Sequence, residues 1–221
     1  MPAGRALAPE ERSIWKIGKR VDKLREIKGL IFDFDGTLAD TMFFHWKAWD
    51  VVAQRHGIAL TRKKLYSMGG IPSRDILLIL REEQNLPHLD VEGIAREKEE
   101  EYLKLMNRVV LIDTIASIAR ENLGKLPMAI ATGGRRFIMD RILPQLGVQN
   151  WFDAVVTSQD VERQKPAPDI FLEAARRIGV PPQNCRAYED TDLGLAAIRA
   201  AGMEAVDVRT VIPEESLVSS L

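Results

Sequence analysis

The sequence predicts an α/β protein: a doubly wound parallel sheet with an all-helical cap domain inserted into it. Two observations lead to this fold class. Short apolar runs that suit buried strands alternate along the chain with longer segments of helical periodicity, as in parallel α/β sheets. Residues 42–109 interrupt this alternation, because they contain helical patterns and no clear strand. We expect these helices to lie as a lid over the carboxyl ends of the strands, where open α/β sheets bind ligands.

The predicted sheet consists of five short apolar segments, residues 29–34, 128–131, 154–156, 185–188 and 205–208. The first segment, GLIFDF, is almost continuously apolar, which is typical of a strand covered by helices on both faces. Helical patterns lie between the later segments, at residues 113–123, 135–146, 168–178 and 193–201. Each of these patterns is followed by a glycine, which is a frequent helix end. The order is that of a Rossmann-like sheet.

Capping residues indicate where the inserted helices begin. Thr61, Ser73 and Asp90 each precede a helical pattern and can cap its first turn. We therefore predict three parts: an N-terminal helical extension (1–28), an α/β core (29–41 and 110–221) and a cap (42–109). In the extension, apolar residues spaced three and four apart predict a helix over residues 10–28. That helix either packs on the core or binds a partner or a second copy.

Composition narrows the classes of function. The 221 residues include 31 Lys and Arg and 32 Asp and Glu, for a net charge of −1, so charge gives no argument for nucleic acid or an anionic membrane as a partner. No apolar run is long enough to cross a bilayer, and the polar N-terminus lacks the apolar stretch of a secretory signal. The single cysteine, Cys185, cannot form an internal disulfide. We expect a cytoplasmic protein, a monomer or a weak homodimer, with no nucleic-acid or membrane partner.

A pair of aspartates ends the first predicted strand. Asp33 and Asp35 lie two residues apart in the sequence DFDGT, so in an extended chain their side chains point the same way. Two carboxylates beside a buried apolar run are costly unless they are paired or bound to a cation. Because oxygen ligands suit Mg²⁺, the pair predicts a magnesium site. For this pentapeptide alone, two solvated acids at a strand end are an equally simple interpretation.

Three further polar motifs follow consecutive predicted strands and make the solvated alternative untenable. The hydroxyl and backbone N–H groups of an ATGG motif suit an anion, and a lysine held by the two prolines that follow it, in KPAPD, suits a phosphoryl group. The fourth strand brings more carboxylates to the same edge of the sheet. In chain order, the residues are Thr132, Gly133 and Gly134; then Lys165; then Glu189 and Asp190.

With these motifs the chain resembles the haloacid dehalogenase-like phosphatase superfamily over residues 29–209, the cap included. The segments 45–49 (HWKAW), 165–169 (KPAPD) and 201–209 (AGMEAVDVR) resemble the branch of the β-phosphoglucomutases and sugar-phosphate phosphatases, especially bacterial fructose-1-phosphate phosphatases. A haloacid dehalogenase proper is not expected, because that activity goes with a lone nucleophilic aspartate, whereas here Asp35 completes a pair. The resemblance implies a Mg²⁺-dependent phosphatase of small phosphorylated sugars that works through an aspartyl phosphate.

The resemblance also implies roles for the core residues. Asp33 would attack phosphorus, and Asp35 would protonate the leaving oxygen and then activate water. Mg²⁺ would be held by Asp33, the backbone carbonyl of Asp35 and Asp190, with Glu189 either bound to the metal or next to its ligands. Phosphoryl oxygens would be held by Thr132 and Lys165 together with the backbone of Gly133 and Gly134.

Three cap residues are candidates for substrate contact. Arg74 lies in the first turn of a predicted helix, where its charge opposes the helix dipole, so another reason for its presence is needed. In the family branch the matching arginine binds the substrate's phosphate or sugar. His45 and Lys98 match positions that contact substrate or assist proton transfer in the mutase. For all three, a solvated surface role is the alternative.

Three functions remain to be distinguished. The first is a sugar phosphatase, the second a phosphomutase of the β-phosphoglucomutase type, and the third a non-enzymatic protein that binds a partner through residues 1–28. The intact set of motif residues argues against the third. The mutase pattern after the second strand is Ser-x-Ser-Lys-Asn, whereas this chain has TGGRR with Arg135 and Arg136 in the last two places. That departure favours hydrolysis over the mutase reaction.

Overall fold

The computed structural model describes residues 26–212, which form one five-stranded parallel sheet, helices around it and a helical cap, so the predicted fold class is confirmed. The strand order is β3-β2-β1-β4-β5. The strands are β1 (Gly29–Phe32), β2 (Met128–Ala131), β3 (Ala154–Val156), β4 (Cys185–Glu189) and β5 (Glu204–Asp207). Within this range no helix is long and apolar enough to cross a membrane.

Eight α-helices accompany the sheet within residues 26–212. Four lie between β1 and β2 in the cap: α1 (Met42–Arg55), α2 (Arg62–Tyr66), α3 (Ser73–Glu83) and α4 (Val91–Leu103). The others belong to the core: α5 (Asp113–Asn122), α6 (Arg136–Gln145), α7 (Asp169–Arg177) and α8 (Asp192–Ala200). Most of the predicted helix over residues 10–28 lies outside the described part of the chain. Its last three residues, 26–28, are not helical, because the chain there already runs toward β1 and the Lys28 N–H donates to the Asn184 carbonyl (2.8 Å).

The central strand β1 packs on both of its faces. Leu30 and Phe32 belong to one apolar cluster, and Ile31 belongs to the cluster on the other face. This is why the strand is apolar at consecutive positions rather than at alternate ones. The prediction that β1 continues to residue 34 is wrong by two residues, because the strand ends at Phe32. Beyond it the chain forms a tight loop, in which the Phe34 carbonyl accepts hydrogen bonds from the N–H groups of residues 38 and 39.

The cap is joined to the core by two chain segments that run side by side. Ala39 and Leu111 form an antiparallel bridge, and the Asp40 N–H donates to the Val110 carbonyl (3.0 Å). Two of the predicted cap-helix starts are confirmed, since the side chains of Thr61 and Asp90 accept from backbone N–H groups in the first turns of α2 and α4. The third is wrong: Ser73 is already helical and Pro72 precedes it without a side-chain cap. The boundaries 42–109 and 110–221 stay predictions.

The cap has an apolar cluster of its own, which we call the cap cluster. It contains residues from all four cap helices and the loops between them: Trp49, Val52, Ala53, Ile58, Leu65, Met68, Ile76, Leu77, Leu80, Val91, Ile94 and Ala95. The larger cluster under the sheet also includes cap residues, among them Phe44 and Tyr102. The lid is therefore a packed unit rather than a loose loop.

Adjacent residues of α7 provide a test of the core packing. Phe171 is fully buried against the sheet, whereas Leu172 is 39% exposed. Phe171→Ala should lower the free energy of unfolding by about 3–5 kcal/mol, because it removes a buried ring and leaves a cavity. Leu172→Ala, the matched control, should cost less than about 1 kcal/mol. Denaturant unfolding of both variants measures the difference; equal losses would contradict the described packing.

Candidate active site

The predicted core residues meet at one edge of the sheet, beneath the cap. A cavity of about 430 Å³ lies between the carboxyl ends of the strands and the cap helices. It is lined by predicted residues from both parts: Asp33, Asp35, His45, Arg74, Lys98, Gly133, Gly134 and Glu189. Thr132, Lys165 and Asp190 are hydrogen-bonded to members of this set. Distant sequence segments therefore form a single site; Asp33 and Lys165, for example, are 132 residues apart.

Lys165 lies between two buried carboxylates. Its Nζ donates to Oδ1 of Asp33 (2.6 Å) and to Oε2 of Glu189 (2.7 Å), and its side chain is 1% exposed. Burial lowers the pKa of Lys165, but the charges of Asp33 and Glu189 outweigh that effect and raise the pKa above its ordinary value. The ammonium is therefore permanent. Two of its three hydrogens are engaged, which leaves one for another oxygen.

Three carboxylates gather around this lysine. Asp33, Glu189 and Asp190 each offer an oxygen, and these oxygens lie within 4.8 Å of one another. Burial, reinforced by the charge of Glu189, raises the pKa of Asp33 well above its ordinary value and that of Asp190 to about 8. The single positive charge of Lys165 does not neutralise three ionised carboxylates. The donor set fits a hard divalent cation such as Mg²⁺, because it is all oxygen and carries excess negative charge.

The contacts of the three acids differ. Oε1 of Glu189 accepts from the backbone N–H groups of Asp190 and Thr191 and from the Thr191 hydroxyl, while Oε2 accepts from Lys165. Asp190 accepts one side-chain hydrogen bond, from Thr37 (3.0 Å). Asp33 and Asp190 are thus the better candidates for direct cation contact, and Glu189 for orienting Lys165 and the loop after β4.

Asp35 lies apart from these three carboxylates and points toward the cap. Its Oδ1 accepts from the Thr41 hydroxyl (2.8 Å) and lies 3.0 Å from Nε2 of His45, and its Oδ2 accepts from Thr132 (3.4 Å). Burial raises the pKa of Asp35, but His45, Thr41 and the charge of Lys98 outweigh it and lower the pKa to about 2. The Asp35 carboxylate is not among the clustered oxygens of Asp33, Glu189 and Asp190. The predicted cation contact through its backbone carbonyl stays a prediction.

His45 connects Asp35 to the cap helix α4. Nζ of Lys98 donates to Nδ1 of His45 (2.8 Å), and the His45 ring stacks on Tyr102 with centroids 4.1 Å apart. Burial and the nearby Lys98 charge lower the pKa of His45, so the ring is neutral. Because an ammonium can only donate, Nδ1 must be the acceptor, and Nε2 carries the hydrogen that is donated to Asp35.

The loop after β2 approaches the cap closely. The Thr132 hydroxyl accepts from the Gly134 N–H (2.9 Å), which holds the hydroxyl next to Asp35. A Cβ on Gly133 would lie 2.9 Å from the Gly70 carbonyl oxygen of the cap, so no side chain fits there. Because these glycines have no side chains, the cap can pack directly against the backbone of this loop.

The three arginines near the site have different surroundings. Arg74 is half-exposed at the rim of the cavity and pairs with Glu92 (2.6 Å). Arg135 lines the cavity and pairs with Glu99 of the cap (3.3 Å). Arg136 donates instead to Asp160 and to a backbone carbonyl of β3, so it fastens α6 to the sheet.

Sequence reasoning missed two supporting threonines. Thr37 donates to Asp190, and Thr41 donates to Asp35. Thr41 immediately precedes α1 yet does not cap it with its side chain, because its hydroxyl is used by Asp35. The only sequence signal was their place within eight residues of Asp33, in the loop that leads into the cap.

Comparison with known proteins identifies the family. The family model of the haloacid dehalogenase-like hydrolases matches residues 30–208. The fructose-1-phosphate phosphatase YqaB of Escherichia coli (strain K12) is 40% identical over 181 residues, which are 82% of this chain and 96% of that protein. The chain belongs to the haloacid dehalogenase-like hydrolase family, and the resemblance stated from the motifs is confirmed.

Two β-phosphoglucomutases are also similar. That of Bacillus subtilis (strain 168) is 31% identical over 193 residues, covering 82% of this chain and 83% of that protein. The crystal structure of the Clostridium difficile protein superposes with a TM-score of 0.74 at 28% identity, covering 82% of this chain and 84% of that one. The predicted enzyme class, a phosphoric monoester hydrolase, is confirmed by the family match and the phosphatase relative.

Gly36 provides a test of the carboxylate cluster. It has a positive φ of 81°, and a Cβ there would collide with the Asp190 carboxylate. Gly36→Ala should therefore displace Asp190 and reduce phosphatase activity at least about tenfold. Gly147→Ala is the matched control, because its φ is 71° but no atom lies within 4 Å of the added Cβ. If both variants lose stability alike and neither loses activity, the close approach has no functional role.

Proposed function

We propose that the protein is a Mg²⁺-dependent phosphatase that hydrolyses small phosphorylated sugars, such as fructose 1-phosphate, through an aspartyl phosphate on Asp33. The observation that carries this proposal is the contrast between two aspartates two residues apart. Asp33 lies among carboxylates and Lys165, where its pKa is raised, whereas Asp35 faces His45 and Thr41, where its pKa is lowered to about 2. Environments that separate two pKa values in this way are typical of groups with different catalytic roles.

In the first half-reaction, an oxygen of Asp33 attacks phosphorus and the bond from phosphorus to the sugar oxygen breaks. Lys165, already bound to Oδ1 of Asp33, is placed to donate its remaining hydrogen to a phosphoryl oxygen. The negative charge of an arriving phosphate raises the pKa of nearby Asp35, which allows that carboxyl to carry the proton that the leaving oxygen needs. The Nε2–H of His45 keeps Asp35 oriented toward the cap side, where the sugar lies.

In the second half-reaction, water attacks the phosphorus of the aspartyl phosphate. Asp35, now ionised, takes a proton from that water, and the bond from phosphorus to the Asp33 oxygen breaks. Inorganic phosphate leaves and Asp33 returns to its starting state. The Thr132 hydroxyl, 3.4 Å from Oδ2 of Asp35, is positioned to contact a phosphoryl oxygen in both halves.

Asp33 and Asp190 would hold Mg²⁺, together with the backbone carbonyl of Asp35. When bound, the metal would supply positive charge that offsets the repulsion between the Asp33 carboxylate and an anionic phosphate. Glu189 keeps Lys165 in place beside that position. The cap would supply the sugar contacts, with Arg74 at the rim and His45 and Lys98 on the wall above Asp35.

The nucleophile assignment predicts a specific loss. Asp33→Asn should reduce kcat at least about a thousandfold, because an amide cannot form the phosphoenzyme. Asp113→Asn makes the same chemical change at a carboxylate whose side chain is 89% exposed, and it should leave turnover unchanged. Phosphate release from fructose 1-phosphate measures both. A folded Asp33→Asn protein with undiminished turnover would refute the mechanism.

The metal assignment predicts both chelation and pH effects. EDTA should abolish activity, Mg²⁺ should restore it, and Ca²⁺ should substitute poorly because its ligand geometry is looser. The pKa of Asp190 is raised to about 8 without a cation, so below that pH Mg²⁺ must displace a proton. The Mg²⁺ affinity, measured by thermal shift, should therefore rise as the pH increases toward about 8. Full activity in excess chelator would exclude the proposal.

A phosphomutase is the second candidate. Its support is the likeness to two β-phosphoglucomutases and the His45–Lys98 pair on Asp35. A mutase must hold the sugar at either end and shield its phosphoenzyme from water. The Lys-Asn pair of the mutase pattern is replaced here by Arg135 and Arg136, and Arg136 is engaged by Asp160. We therefore favour hydrolysis.

A coupled assay distinguishes the two candidates. β-Glucose 1-phosphate with a trace of the 1,6-bisphosphate should give little glucose 6-phosphate, as followed with glucose-6-phosphate dehydrogenase. Fructose 1-phosphate assayed beside it should release inorganic phosphate, because water reaches the phosphoenzyme before a second sugar does. Rapid glucose 6-phosphate formation with negligible free phosphate would reverse the choice.

A further inference from the structure

We propose that Glu99 makes this enzyme selective for substrates with a single phosphate, because its carboxylate offsets the charge of Arg135 and repels a second phosphate. The proposal rests on the proposed function and goes further by naming a residue that sets the substrate class. It concerns the part of the cavity beyond the catalytic aspartates, where the carbon skeleton of a sugar phosphate would lie.

The arginines of this part of the cavity are all paired with carboxylates. Arg135 donates to Oε2 of Glu99 (3.3 Å), and Arg74 donates to Glu92 (2.6 Å) and approaches Asp75 (3.4 Å). All five of these residues line the cavity. Each guanidinium keeps N–H donors that these contacts do not use, but its positive charge is offset by a carboxylate that lines the same cavity.

The Arg135–Glu99 pair lies in the cavity between the loop after β2 and the cap helix α4. Arg135 directly follows Gly134, whose neighbour Gly133 contacts the cap, and Glu99 directly follows Lys98, which is linked through His45 to Asp35. Both segments line the same cavity as Asp33, in which a sugar phosphate would bind. The pair joins the core to the cap inside this cavity.

Breaking the pair to bind a second phosphate would be unfavourable. Glu99 is 8% exposed, so moving Arg135 onto a phosphate would leave a buried carboxylate without its partner. The phosphate dianion would also face that carboxylate at short range in a site of low dielectric. Sugar hydroxyls meet no such penalty, because neutral groups can bond to the same carboxylates as donors. The cavity therefore accepts an uncharged polyol chain and rejects a second anionic end.

The test compares fructose 1-phosphate with fructose 1,6-bisphosphate as substrates of the full-length protein in Mg²⁺. The wild type should show a kcat/KM at least about tenfold lower for the bisphosphate. Glu99→Gln should narrow this ratio by about tenfold, because it releases Arg135 and removes the repelling charge. Glu100→Gln is the matched control: it removes the same charge from an exposed neighbour on α4 and should leave the ratio at its wild-type value.

A second substitution assigns the effect to Arg135. Adding Arg135→Gln to Glu99→Gln should restore discrimination against the bisphosphate. Arg135→Gln alone leaves Glu99 unpaired and should deepen the discrimination, which keeps the proposal testable if Glu99→Gln does not fold. Equal use of both substrates by the wild type, an unchanged ratio in folded Glu99→Gln, or the same shift in Glu100→Gln would overturn it. Failure of the wild type to hydrolyse either sugar phosphate would instead refute the proposed function.

Discussion

Asp33, Glu189 and Asp190 bring three carboxylates within 4.8 Å of one another, two of them buried. Their mutual repulsion is opposed by the ammonium of Lys165 on Asp33 and Glu189. Lys165 reaches Asp33 and Glu189 because the loop after β3 lies at the same edge of the sheet as the ends of β1 and β4. The parallel sheet thus holds like charges from distant segments together, and the donor set that results suits a divalent cation.

The loop after β1, which carries Asp33, also carries Asp35, and this second aspartate contacts the cap. Its carboxylate turns away from the other three and is bound by Thr41 and His45, at the start of the cap. One pentapeptide therefore presents one acid to the carboxylate cluster and one to the cap. The lysine of α4, Lys98, extends this second group and holds the His45 tautomer that donates to Asp35. Hydrogen bonds therefore connect Asp35 in the core to His45 and Lys98 in the cap.

Much of this arrangement could be predicted from sequence. Continuous apolar runs placed β2 and β3 correctly, and the rule that parallel strands end at one edge brought Asp33, Thr132, Lys165 and Asp190 together. What could not be predicted were side-chain pairs between core and cap, such as Arg135 with Glu99, 36 residues apart. Such pairs depend on how the cap is oriented, which hydrophobic periodicity does not encode. The expected cytoplasmic location and the oligomeric state stay predictions.

The way the cap helices share their buried side chains limits which part of the lid can move. Helices α1 and α4 bury residues in both clusters, Phe44 and Tyr102 under the sheet and Val52 and Ile94 in the cap cluster, whereas the buried side chains of α2 and α3 all lie in the cap cluster. His45 and Lys98 are carried by the doubly anchored pair, and Arg74 by α3. Local opening would thus expose the amides of α2 and α3 to hydrogen exchange first, admitting substrate past Arg74 while the wall above Asp35 stays in place.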